Sequence, residues 1–141
     1  MSQLSMGVML NMLSGNSETV EALNKVKGKK IKVITLVQAD PDFVEISTRD
    51  HTIRISDQGQ SCCERRYMVT DDSLVQFIGA KILGFELREA PSPTKTEAYD
   101  EDHEVQFLVI LTDKGNITFS NHNEHNGYYG GFSICASVVE D

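Results

Sequence analysis

The sequence predicts an α+β fold: a single domain built mainly on an antiparallel β-sheet of about seven strands, with two short helices. Three observations carry this reading. Alternating or continuous apolar runs recur from residue 29 to residue 138, and the connections between them are short, which suits antiparallel neighbours. Only two segments place apolar residues at helical spacing between a start and a stop signal. The length, 141 residues, fits one domain able to bury a core without disulfide help.

Residues 1–16 read as an N-terminal tail apart from a globular domain at 17–141. Its apolar positions, including Leu4, Met6, Met9 and Met12, suit docking on a partner or a sister subunit, so a homo-oligomer through this segment is one expectation. Ser17 then caps a helix with Val20, Leu23 and Val26 on one side and Gly28 as its stop. The lysines at 25, 27, 29, 30 and 32 read as a solvated helix end followed by a guarded edge strand.

Residues 29–38 switch to strand periodicity. Asp40-Pro41-Asp42 is a turn, and residues 43–48 and 51–56 form a hairpin about Arg49-Asp50. In that hairpin Val44 and Ile46 face Ile53 and Ile55, while Thr52 and Arg54 point outward. Residues 65–70 can be strand. Thr70-Asp71-Asp72-Ser73 should open the second helix, through Leu74, Val75, Phe77 and Ile78, with Gly79 as its end. The aspartates there serve the helix dipole and need no metal.

Residues 80–90 form a strand with Leu83, Phe85 and Leu87 inward. Residues 91–103, with two prolines and the acidic group Glu97, Asp100, Glu101 and Asp102, read as a mobile surface loop. Residues 104–112 are apolar on both faces, the mark of a central strand. Asp113-Lys114-Gly115-Asn116 turns the chain into residues 117–121. At the end, Phe132, Ile134, Ala136 and Val138 alternate with Ser133, Cys135 and Ser137.

Composition narrows the function. A formal net charge of -8 argues against general nucleic-acid binding, which rests on lysine and arginine. The apolar runs are far shorter than the roughly 20 residues that span a bilayer. Three cysteines cannot all pair within one chain, and no secretory leader opens the sequence, so the expected location is cytoplasmic.

Two segments hold unusual residue types without a packing reason. One is Gln60-Ser61-Cys62-Cys63-Glu64-Arg65-Arg66-Tyr67-Met68. The other runs from Asn121 to Phe132 and contains His122, Glu124, His125, Asn126, Tyr128 and Tyr129. Cys62, Cys63, His122 and His125 offer zinc-type donors, but adjacent cysteines on extended chain point to opposite faces, and the spacing matches no finger or ribbon. The glycines and asparagines around His122 and His125 argue for a loop rather than a helix. A thiol activated by a nearby histidine is a second option. A recognition surface explains more: glycines allow close approach, asparagines tolerate left-handed backbone, and tyrosines supply rigid aromatic area. We therefore assign Cys62, Cys63, Glu64, Arg65, Arg66, His122, Glu124, His125, Asn126, Tyr128 and Tyr129 to ligand or partner binding. No catalytic residue, metal or cofactor is assigned.

These elements resemble an uncharacterised family of small phage and prophage proteins, a domain of unknown function. The resemblance rests on Gln60-Ser61-Cys62-Cys63-Glu64, the helix start before Leu74, Gly79-Ala80-Lys81-Ile82, Thr112-Asp113-Lys114-Gly115 and Asn126-Gly127-Tyr128-Tyr129, and covers roughly residues 29–138. The common pattern has Asp at the position of Ser61 and a histidine near Asp57. The resemblance implies a phage or prophage setting in the host cytoplasm, where a small accessory protein is often an inhibitor or a sponge acting on a host defence; joined to the recognition surface, it gives the expectation of a non-enzymatic binding protein of that kind. Its partner would be a host protein or a small nucleotide-like ligand, with Arg65 and Arg66 meeting anionic groups. The alternatives are a metal- or thiol-dependent hydrolase using Cys62, Cys63, His122 and His125, and a structural accessory protein.

Overall fold

A computed structural model describes residues 17–59, 65–89, 94–96, 101–125 and 132–139. The predicted tail, residues 1–16, lies outside them. The helix α1 (Ser17–Val26) leads into nine strands: β1 (Val33–Val37), β2 (Phe43–Ser47), β3 (Thr52–Asp57), β4 (Arg65–Val69), β5 (Ile82–Glu89), β6 (Thr94–Thr96), β7 (Glu101–Thr112), β8 (Gly115–His125) and β9 (Ile134–Val138). The mainly antiparallel α+β class holds. Among the described residues the strands number nine rather than about seven, and they form two sheets rather than one, in the orders β1-β2-β3-β9 and β4-β8-β7-β5, with β6 on β7.

Helix α1 buries Thr19, Ala22, Leu23 and Val26, and Gly28, at φ 83, lets the chain turn away after it. The helix packs chiefly on β9, where the Ala136 N–H donates to Thr19 Oγ1 at 3.1 Å, so a side chain satisfies a backbone donor at the sheet's edge. The five lysines from 25 to 32 are exposed, and β1 is the opposite edge of that sheet, as the sequence predicted.

The β2–β3 hairpin has the expected register. Val44 faces Ile55, Ile46 faces Ile53, and all four are fully buried. Both sheets and the helix contribute to one contiguous core, with Ile34, Val44, Ile46, Ile53, Ile55, Ile134 and Ala136 from one sheet and Met68, Phe85, Leu108, Ile110, Ile117 and Phe119 from the other. The strand read as central on its apolar content, β7, lies between β8 and β5.

Four expectations need correction. The second helix is a single 3-10 turn at Leu74–Phe77, because Ser73 makes no side-chain cap and Asp72 Oδ2 instead accepts the Thr118 N–H at 2.7 Å. Leu83 is half exposed rather than inward, because a register shift between Ile82 and Gly84 reverses the strand's facing there. Residues 91–103 are not all loop: β6 pairs with the start of β7, which begins at Glu101. The stretch His122 to His125 continues the strand, because pairing with β7 and β4 outweighs its polar composition.

Candidate functional site

Two strand ends define the site. In the first sheet Asp57, the last residue of β3, pairs with Ile134, the first of β9. In the second, Arg65, the first residue of β4, pairs with Glu124, one residue from the end of β8. The chain crosses from the first sheet to the second after Asp57 and returns after His125. Both crossings therefore join the same two pairs of strand ends, and they carry the two segments singled out in the sequence.

A buried ion pair fixes these ends together. Arg66 Nη1 lies 2.8 Å from Asp57 Oδ2, and the two side chains are 10% and 8% exposed. The other carboxylate oxygen of Asp57 accepts the Ser133 N–H at 2.9 Å and the Gly59 N–H at 3.2 Å. Gly59 lies against the guanidinium so closely that a Cβ there would stand 2.9 Å from Arg66 Nη1. Gln58 N–H also donates to the Ser133 carbonyl at 2.8 Å. Nearby, Asp42 closes the free edge of β4: its Oδ2 accepts the Met68 N–H at 3.1 Å, and its Oδ1 accepts the Ala39 N–H at 2.8 Å. A small recess between the sheets is lined by Asp42, Asp57, Arg66, Tyr67, Met68 and Asn121.

The outward face of the second sheet groups aromatic, basic and acidic side chains. Strand alternation places Arg65 and Tyr67 opposite Glu124 and His122. The Tyr67 ring stacks on His122, with centroids 4.6 Å apart and planes 4° from parallel. Its hydroxyl donates to Glu124 Oε2 at 2.7 Å, while the Arg65 guanidinium lies 5.0 Å from the Tyr67 ring and 3.7 Å from Glu124 Oε1. From β7, His103 brings Nε2 within 2.9 Å of His122 Nδ1. Partial burial, and then the neighbouring His103, pushes the His122 pKa down; Glu124 pulls the other way. Partial burial raises the Tyr67 pKa, and Glu124 adds to this by hydrogen bond and by charge.

Of the predicted site residues, Arg65, His122 and Glu124 come together in this cluster. Arg66 sits on the other face of β4, paired with Asp57. His125 is in β8 opposite Asp102. Cys62, Cys63, Glu64, Asn126, Tyr128 and Tyr129 lie outside the described residues. Among the described residues, no group of three or more His, Cys, Asp or Glu side chains is placed to hold a metal ion.

His103 and Tyr67 are absent from the sequence-derived site. Tyr67 belonged to the first unusual segment, but only its period-two relation to Arg65 places it on the same face. His103 could have been found by counting outward from the Lys114 turn: Thr112 pairs with Gly115, so His103 must meet Glu124 and Val105 must meet His122.

No helix among the described residues is long and apolar enough to cross a membrane. No curated protein and no solved structure matches the chain. A family described as a domain of unknown function, DUF7448, matches residues 24–135, a span that takes in both crossings and every residue of the cluster. The chain belongs to the DUF7448 family.

Proposed function

We propose that this is a non-enzymatic binding protein of phage or prophage type, an inhibitor or ligand sponge directed at a host defence, which holds a host protein or a small nucleotide-like ligand. The observation that supports this is the shared register of the strand ends. Arg65, Tyr67, His103, His122 and Glu124 stand on one outward face where the two crossings begin and end. Aromatic rings, a solvent-facing guanidinium and a carboxylate suit recognition of a ligand with flat and anionic parts. Arg65, its side chain 75% exposed, is the group best placed to meet an anion, whereas Arg66 already has Asp57.

The test compares the wild-type chain with Arg65→Glu after exposure to host lysate. Bound protein is identified directly, and small molecules are released by denaturation and weighed by mass spectrometry. The proposal expects a ligand recovered unchanged from the wild type and at least about tenfold less from the variant, since reversing an exposed charge replaces attraction by repulsion. Folded wild-type protein that retains nothing in either channel would sink it. A ligand returned chemically altered would point instead to the hydrolase alternative.

A further inference from the structure

We infer that His103 and His122 form a two-histidine clamp for a divalent late first-row transition-metal ion on the outward face of the second sheet. The inference is independent of the proposed binding role. It begins with register: His103 pairs with Glu124 and Val105 with His122, so the two histidines are diagonal neighbours on one face of an antiparallel pair. Their ring tips converge from adjacent strands, His103 Nε2 standing 2.9 Å from His122 Nδ1.

That separation matches a coordination edge. With metal–nitrogen bonds of about 2.0–2.1 Å, two nitrogens 2.9 Å apart subtend about 90° at the metal. This is the angle between neighbouring ligands in octahedral and tetragonal sites, the geometries of nickel and cupric ions. A tetrahedral zinc ion needs a separation of about 3.3–3.4 Å, a small opening of the clamp. The rings, with centroids 5.1 Å apart and planes inclined by 36°, have to turn so that both lone pairs point at one centre.

Neutral imidazole is the ligand form, and the groups around the pair help to aim it. Stacking on Tyr67 limits rotation of the His122 ring, so the turning falls chiefly to His103, and the Tyr67 hydroxyl holds the Glu124 carboxylate on the same face. In the metal-free pair, one nitrogen carries the shared proton. On binding, that proton moves to the other nitrogen of its own ring, so a neutral pair releases none. With two protein donors among the described residues, the remaining positions go to solvent or to a donor atom of a bound ligand, and the site is open rather than structural.

The test is calorimetric titration of the full chain, free of any histidine tag, with Cu2+, Ni2+ and Zn2+, alongside His103→Gln and His122→Gln. Glutamine keeps a hydrogen-bonding side chain, and the circular dichroism melt of each variant reports whether it folds. The expected result is one ion per chain, tightest for Cu2+, weakened at least about tenfold in either folded variant. The cupric complex should show coupling to two imidazole nitrogens by electron paramagnetic resonance. Absence of a one-to-one complex in the wild type would overturn the inference, as would affinity left unchanged by both substitutions.

Discussion

Asp57→Asn tests the reasoning that holds the two strand ends together. The substitution keeps the side chain's shape but removes the charge facing Arg66, whose side chain is 10% exposed and brings Nη1 within 2.8 Å. Breaking one side of a buried pair takes a short ion-pair contact from a charge held out of water, at a cost of up to about 3–5 kcal/mol. The amide keeps one oxygen for the Ser133 and Gly59 N–H groups, so those contacts should survive. A domain of this size has about 5–15 kcal/mol of stability, so the loss is a large share of the whole. At about 3 °C per kcal/mol, the melting temperature should fall by up to roughly 10–15 °C. The assay is urea unfolding with a double-mutant cycle through Arg66→Met. Arg66→Met leaves the Asp57 carboxylate with its two backbone donors and should cost less, and the double variant should be more stable than the sum of the single losses implies. An Asp57→Asn protein that melts within about 3 °C of the wild type would refute the argument, as would strict additivity.

Two further predictions concern the helix contact and the histidine pair. Thr19→Val keeps the shape of a buried side chain while removing the acceptor for the Ala136 N–H. It should cost about 1–3 kcal/mol in urea unfolding and speed hydrogen exchange at the Ala136 amide, and an unchanged exchange rate would contradict it. His122, whose folded pKa is depressed, should titrate by NMR below the ordinary value of 6.5, and His103→Gln should raise its midpoint. Because the fold favours the neutral ring, the associated stability is present above pH 6.5 and is lost as pH falls from there through the folded pKa. A midpoint at or above 6.5 would contradict the assigned cause.

The sequence was most legible where one periodicity acts alone. The register of the β2–β3 hairpin could be read, though each strand's bounds shift by a residue, because alternation on both strands and a short turn allow one pairing, with Val44 against Ile55 and Ile46 against Ile53. Legibility failed where a local signal was outweighed. Proline and acidic residues near 91–103 hid the start of β7, and with it His103. Asparagines and histidines made residues 122–125 look like loop, although strands on both sides, β4 and β7, recruit them into the sheet. At Leu83 alternation misled, since a single register shift changes the face. The division into two sheets was not readable at all, because a crossing between sheets and a turn within one both look like polar chain.

Arg65 and Arg66 show how much of the site depends on that geometry. In the sequence they are equivalent, two adjacent cations after Cys62-Cys63-Glu64, both expected to meet an anion. In β4 the period of two sends them to opposite faces. Arg66 turns inward to Asp57 on the other sheet and fixes the ends from which both crossings run. Arg65 turns outward beside Tyr67 and Glu124, with its side chain 75% exposed. Charge reversal at Arg66 would place two carboxylates together in a buried site and unfold the domain, whereas the same change at Arg65 leaves the core untouched and alters only what the outward face attracts. A paired comparison of Arg65→Glu and Arg66→Glu therefore separates recognition from architecture, although only one peptide bond divides the two positions.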